Sequence, residues 1–585
     1  EIRRAIKEDL WDAYKDAAPP YIRRRDRLEI TERIDYSGEV LKPLDEAEAL
    51  ELARILRKRE IKVVAICFMN AYVNPEHERR MKEILEEELP GVAVSTSSDT
   101  LPEIFEHERF STTVVNAMLK PVVSEYVSRF DTALRDKGYG SDLLLLHSGG
   151  GVISPSNVEK FSARLAGSGI AAGAIASRHI GKVCGFENSI GLDMGGTSCD
   201  VSLTHDGETR VTKDWGIEFG YPIRFPSIEV LTIGAGGGSL AWIDDAGALH
   251  SGPQSAGADP GPVCYRKGGQ VPTNTDANLV LGRLGTKLAG GELTLDYDSA
   301  EHAIRTTIAE PQGMSVMEAA QAIIDVSNAN MTDAVRLLSI ARGHDPRDFA
   351  LVAFGGAGAL HGVDLARELS IPTVIVPPHP GVTSAMGCLL VDLRHDFAES
   401  YIVPAASADV ADIESRFQEM EAQARDLMSR ERVKLNEVIV TRSIDMMYQG
   451  QWRSIQVNVP SPFTSIAEVI ETFHAQHERE YAFRRDDTPV DFFRLNLTIV
   501  GLTDRAELQR YPGGGDLDVH EKRMAYFKSE GERVETPVYR HSALPVGASL
   551  DGPVIIDQFD TTTVVPPGAR AEVDEFKNIR IQCRI

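Results

Sequence analysis

Gly191-Leu192-Asp193-Met194-Gly195-Gly196-Thr197-Ser198-Cys199-Asp200, followed by the alternating Val201-Ser202-Leu203, decides how this chain is read. An apolar strand ends in Asp, turns through two glycines and a hydroxyl residue, and returns as a second strand. The tip of such a hairpin lacks Cβ atoms, so backbone N–H groups can approach phosphate oxygens closely. Asp193 and Asp200 flank the tip as hard oxygen donors able to hold Mg²⁺ directly or through water. Gly195, Gly196 and Thr197 are the candidate phosphate contacts. The plainer reading is a β-hairpin whose Gly-Gly serves only the turn. That reading leaves the two carboxylates and the threonine without a purpose.

Two further glycine-rich loops lie downstream. Val352-Ala353-Phe354-Gly355-Gly356-Ala357-Gly358-Ala359-Leu360-His361-Gly362 reads as a strand entering a glycine turn and then a helix. Gly355, Gly356 and Gly358 would let an adenine or ribose lie on the backbone at a positive helix N-terminus. Close helix–strand packing explains the same glycines. His361 is either a substrate-side group or a structural histidine. Thr232-Ile233-Gly234-Ala235-Gly236-Gly237-Gly238-Ser239 is costly in chain entropy, which favours a ligand near Gly236 and Gly237. Asp259, before Pro260, is a substrate-side candidate or an Asx-turn residue. Thr275-Asp276-Ala277-Asn278 reads as a helix cap, and Cys199 as a small packing residue. His474 and His477, three apart on a polar helix, read as a solvated face and not as metal ligands.

Around these loops the chain has the length and pattern of several α/β domains. It has 585 residues, and 62 basic against 87 acidic side chains leave a net charge of −25. That charge repels DNA and anionic lipid, so any bound anion needs a local positive field. The longest apolar runs are strand-length, far short of the roughly 20 residues of a membrane helix. The six cysteines are too scattered for a zinc ribbon or a redox pair. The opening EIRRAIKEDLWDAYKD reads as an amphipathic helix, and the chain is expected to begin inside a longer polypeptide. Residues 61–69 and 92–95 read as strands with a helix between them, a βαβ unit that predicts a helix-covered sheet. A long helix over residues 103–137 is expected to bend at Pro121. Three domains follow: 1–187, 188–400 with the glycine loops, and an α+β region, 401–585, closing in a small β-rich cap after Val519.

Together the blocks LPEIFEHERFSTTVVNA, LLLLHSGGG, GLDMGGTSCDVSL, IGAGGGSLAWID, GPQSAGADPGPVCY, PTNTDANLVLGRL, FGGAGALHG, HPGVTSAMGCLLVD and GPVIIDQFDTTTVVPPG resemble the hydantoinase/oxoprolinase A-subunit family. That family includes N-methylhydantoinase A, the ATP-binding half of 5-oxoprolinase, and subunits of acetone and acetophenone carboxylases. The resemblance implies an α/β fold of the actin-like ATPase and sugar-kinase superfamily, with ribonuclease-H-like domains closing on ATP and Mg²⁺. Relatives carry a further DxGGTxTD loop ahead of the point where this sequence starts. The first domain is therefore expected to lack its leading strands and one wall of the triphosphate site. Ile170 stands where relatives read proline. The implied activity is ATP-dependent phosphorylation of a cyclic amide in a cytoplasmic complex with a B-type partner subunit. A ketone carboxylase subunit and an inactive nucleotide-binding assembly or regulatory subunit are the alternatives.

Overall fold

The structure is a computed structural model that describes Tyr14 and residues 19–584, apart from 142, 214, 219, 220, 432, 452, 505 and 506. Apart from Tyr14, the expected opening helix lies outside the described residues. The chain forms two compact units: Glu1–Ser168 with Thr212–Ser227 and Val391–Asp504, and Gly169–Val211 with Ile228–Leu390 and Arg505–Ile585.

The second unit holds the glycine loops and is organised by one mixed sheet. Five strands, Ser189–Met194, Cys199–His205, Val230–Ile233, Ala350–Phe354 and Thr373–Val376, lie in the spatial order third, second, first, fourth, fifth. The second runs antiparallel to its neighbours, whereas the first, fourth and fifth are mutually parallel. This is the ribonuclease-H-like arrangement that the resemblance implies. Ala350–Phe354 and Thr373–Val376 are buried at every position, as strands covered on both faces must be. The parallel pair needs a crossover, and the helix Gly355–Glu368 supplies it.

The expected β-rich cap after Val519 divides in two. Glu521–Phe527, Glu532–Arg540, Val554–Asp557 and Thr562–Val565 form a four-stranded sheet of their own. Ile579–Gln582 instead pairs with Thr373–Val376, and Arg570–Val573 and Ser549–Asp551 continue the large sheet beyond it. The free edge of a fully buried strand must be paired, and the end of the chain does this.

In the first unit Val63–Ile66 and Ala93–Thr96 form a parallel pair joined through the helix Glu76–Glu88, the expected βαβ unit. The helix Glu106–Asp136 continues through Pro121. A six-stranded sheet is centred on Glu437–Tyr448, Val490–Leu502 and Leu393–Pro404. His474 and His477 are not on a solvated face, because both are buried. His474 Nδ1 lies 2.7 Å from the Tyr448 hydroxyl, and His477 Nδ1 lies 3.0 Å from the Phe483 carbonyl. Aromatic neighbours buried the face that composition alone made look polar. Among the described residues no helix is long and apolar enough to cross a membrane.

Candidate active site

Asp193 and Asp200 are direct cross-strand partners in the hairpin register. Their side chains therefore leave one face of the sheet, with Cβ atoms about 4.5–5.5 Å apart. Residues 195–198 close the turn, with the Gly195 N–H donating to the Ser198 carbonyl at 3.0 Å. Gly196 and Thr197 are exposed at the tip, and among the described residues their N–H groups have no protein acceptor. Asp193 Oδ2 accepts from the Ser384 hydroxyl at 3.0 Å, and Asp200 Oδ1 accepts from Thr232 Oγ1 at 2.5 Å. Burial raises both carboxyls above the usual carboxylate range, and the nearby Asp200 charge adds to the effect on Asp193. Among the described residues neither carboxylate forms an ion pair.

The loop around Gly236 is packed backbone to backbone on this tip. A Cβ on Gly236 would lie 2.6 Å from Gly196 C and Thr197 N. The N–H of Gly237 donates to the Gly195 carbonyl at 3.0 Å and that of Gly238 to the Gly196 carbonyl at 2.6 Å, while Gly236 N–H donates to Ser239 Oγ at 2.7 Å. These amides are spent on protein acceptors, so here Gly236 and Gly237 fix the tip in place. Asn274 Nδ2 and Thr275 Oγ1 donate to the Gly236 and Gly237 carbonyls, each at 2.8 Å, and hold the loop from behind. The helix after it begins earlier than expected. Thr273 is the cap of Asn274–Val280, and buried Asp276 completes a capping box while also accepting from Cys264 N–H at 2.8 Å.

Gly355 has a φ of +77°, and a Cβ there would lie 2.5 Å from Asp193 Oδ1 and from the Met194 carbonyl. Only glycine fits that approach. A Cβ on Gly358 would meet the Leu192 carbonyl at 3.2 Å, so this residue serves close helix–strand packing. Gly356 is exposed at the helix N-terminus and accepts from Thr561 Oγ1 at 2.9 Å. His361 is buried on the same helix, with Nδ1 2.7 Å from Asn328 Oδ1. Burial, assisted by Arg283, pushes it down to about 3, which disfavours the imidazolium form. Asp259 is exposed on a loop that Ala256 ties to the Gly238 carbonyl at 2.8 Å. Cys199 is buried with its thiol pushed up by desolvation, as a packing residue should be.

Three residues around the carboxylates were not singled out from sequence: Ser384, Thr232 and Gly173, whose Cβ would stand 3.4 Å from Asp193 Oδ2. Ser384 lies in HPGVTSAMGCLLVD and Thr232 opens the second glycine loop. Both belonged to noticed blocks, but nothing local tells which hydroxyl meets which aspartate.

A ribonuclease-H-like sheet whose first hairpin presents paired aspartates beside a glycine-hinged helix defines an α/β protein of the actin-like ATPase and sugar-kinase class. Sequence comparison narrows the class. The chain belongs to the hydantoinase/oxoprolinase family, whose N-terminal region, central and C-terminal domain profiles match residues 1–89, 109–397 and 404–582. It is 36% identical to caprolactamase subunit alpha of Pseudomonas jessenii over 98% of this chain and 84% of that one. Identity to the acetophenone carboxylase gamma subunit of Aromatoleum aromaticum is 32%, over 95% of this chain and 78% of that one. The crystal structure of the ATP-dependent caprolactamase from Pseudomonas jessenii superposes with a TM-score of 0.86 at 33% identity, covering 99% of this chain and 85% of that one.

Proposed function

We propose that this chain is the ATP-dependent activating subunit of an enzyme that opens a cyclic amide, such as a hydantoin, 5-oxoproline or another lactam, together with a B-type partner subunit. One observation carries the reading: two desolvated carboxylates face each other beside a hairpin tip whose exposed residues have N–H groups with no acceptor among the described residues. The similarity to a caprolactamase subunit supports a lactam-like substrate.

Mg²⁺ suits this donor set, since it commonly takes one or two carboxylates and completes its shell with phosphate oxygens and water. Bound there, it would offset the charge of a triphosphate. Asp193 and Asp200 are its proposed ligands. Gly196 and Thr197 N–H groups would hold phosphate oxygens. Gly355 and Gly356, which open the helix without side chains, would let the adenosine side lie against the backbone. An amide carbonyl is a poor electrophile. Transfer of the γ-phosphoryl breaks its bond to ADP and forms one to the substrate oxygen, while the amide N–H proton leaves to a base. The resulting imidate phosphate is open to attack by water. Gains in such a transfer come from positioning and charge stabilisation, which a preorganised tip provides.

The carboxylase branch is the second reading, favoured by the 32% identity to a carboxylase subunit. There the same transfer to a ketone would give a phosphoenol. Co-purification of the chain with its partner, followed by a screen of lactams, hydantoins and ketones for ADP release, separates these readings. Nucleotide binding without substrate-stimulated ADP release would instead assign an assembly or regulatory role.

A further inference from the structure

The block GPVIIDQFDTTTVVPPG contributes a hairpin whose strands Val554–Asp557 and Thr562–Val565 pair up to Asp557 and Thr562. Its four-residue tip is clamped to the surroundings of the proposed nucleotide loop. Gln558 Nε2 donates to the Pro377 and Pro378 carbonyls, both at 3.2 Å. Asp560 Oδ2 accepts from the Gly381 N–H at 2.6 Å, and Thr561 Oγ1 donates to the Gly356 carbonyl at 2.9 Å. Gln558 N–H closes the tip on the Thr561 carbonyl at 2.9 Å.

Phe559 is the one tip residue whose side chain these clamps leave out. It is 71% exposed, more than any other large apolar side chain described in this unit. A lone exposed apolar residue is ordinary, but this one is held in place. One edge of its ring rests on Gly290, where a Cβ would come within 2.9 Å of Phe559 Cε2. Gln558 on one side is fixed to residues 377 and 378, and Asp560 and Thr561 on the other to residues 381 and 356. Val382, next to Gly381, is itself 57% exposed. Gly355, adjoining the clamped Gly356, closes directly on the Asp193 carboxylate. An exposed aromatic ring on a fixed turn is thus connected, through Gly356 and Gly355, to the neighbourhood of Asp193.

We propose that Phe559 is a base-stacking residue, its ring covering the flat heterocycle of a nucleotide whose phosphates reach the Asp193–Asp200 hairpin. This rests on the nucleotide reading given above and adds a residue to it. Aromatic stacking on a base is sequence-tolerant and strong enough to be read in a binding constant. The charged phosphates gain nothing from it.

The test is calorimetric titration of the full chain, in the presence of Mg²⁺, with ATP and separately with tripolyphosphate. Phe559→Ala is expected to weaken ATP about 5- to 150-fold while leaving tripolyphosphate within about twofold, and Phe559→Trp to restore ATP binding. Unchanged ATP affinity in Phe559→Ala, or equal loss for both ligands, overturns the stacking role while the nucleotide site stands. If the unaltered chain binds neither ligand, the nucleotide reading fails and this inference fails with it. Unchanged ATP affinity accompanied by weaker partner association would show that the ring belongs to a protein interface.

Discussion

Asp193 and Asp200 stand opposite each other on adjacent antiparallel strands, and the fold supplies each with one hydroxyl and no described cation. Two like charges so close in a half-buried setting oppose folding. Their retention at the tip of a turn that needs neither is best explained by a ligand that brings positive charge.

Asp193→Asn and Asp200→Asn should abolish substrate-stimulated ATP turnover while leaving the unfolding midpoint unchanged or raised. An acid whose folded pKa lies above its unfolded value binds more protons when folded. Its contribution to stability falls as pH rises through that interval and stays unfavourable at neutral pH. Both carboxyls are shifted in that direction. Removing the charge therefore relieves the empty protein, and turnover should drop about 10²–10³-fold or more. Thermal unfolding and ADP release at pH 7.5, chosen as roughly neutral assay conditions, check the pair. A variant that lost activity together with stability would mark the carboxylates as structural.

Gly196→Ala and Gly236→Ala should separate ligand contact from positioning. A Cβ on Gly196 meets nothing within 4 Å, whereas one on Gly236 would collide with the Gly196 and Thr197 backbone at 2.6 Å. The first should keep its unfolding midpoint and lose nucleotide affinity, because the methyl group occupies the space of an incoming phosphate. The second should lose both, with destabilisation of about 1–3 kcal/mol from overpacking. Equal unfolding midpoints in the two variants would contradict the packing described for the loop.

Much of this was legible in the sequence, and the missing parts share a cause. The hairpin, the helix after Gly355 and the βαβ unit at 63–96 follow from local period and turn chemistry, which a short window contains. What the window lacks is the other side of each contact. The edge pairing of Ile579–Gln582 with Thr373–Val376 joins segments about 200 residues apart, and so does the Asp193–Ser384 bond. His474 and His477 looked solvated because their helix is polar in composition, yet Tyr448 from a distant strand and Phe483 from the turn after the helix cover them. Gly236 and Gly237 were recognisable as too many glycines for a simple turn. That they pack on the hairpin, with their N–H groups already engaged, is a tertiary fact.

Acid should destabilise the protein beginning well above the carboxylate range, through its buried neutral histidines. His361 and His147 are both buried and pushed down to about 3 by desolvation, with nearby guanidinium groups adding to it. Unfolded histidine titrates near 6.5. Below that value the unfolded chain takes up protons that the folded one refuses. Stability is then lost as pH falls from about 6.5 towards 3, by up to about 1.4 kcal/mol per pH unit for each histidine. Denaturant midpoints at intervals between those limits should fall steadily, and His361→Gln should flatten the slope. An unchanged slope would mean that His361 is protonated in the fold.

Ser384→Ala tests whether Asp193 is the group whose ionisation governs nucleotide binding. The Ser384 hydroxyl donates to Asp193 Oδ2 at 3.0 Å and holds its carboxyl down against desolvation. Without that donor the ionised form loses a partner, and the carboxyl must rise further. Affinity for MgATP, which requires the ionised form, should then fall off at a higher pH in the variant while approaching the unaltered value on the alkaline plateau. A role limited to packing would lower affinity equally at every pH. The decisive measurement is the dissociation constant for MgATP as a function of pH in both proteins, and a midpoint that stays put would remove Asp193 from the metal-nucleotide site.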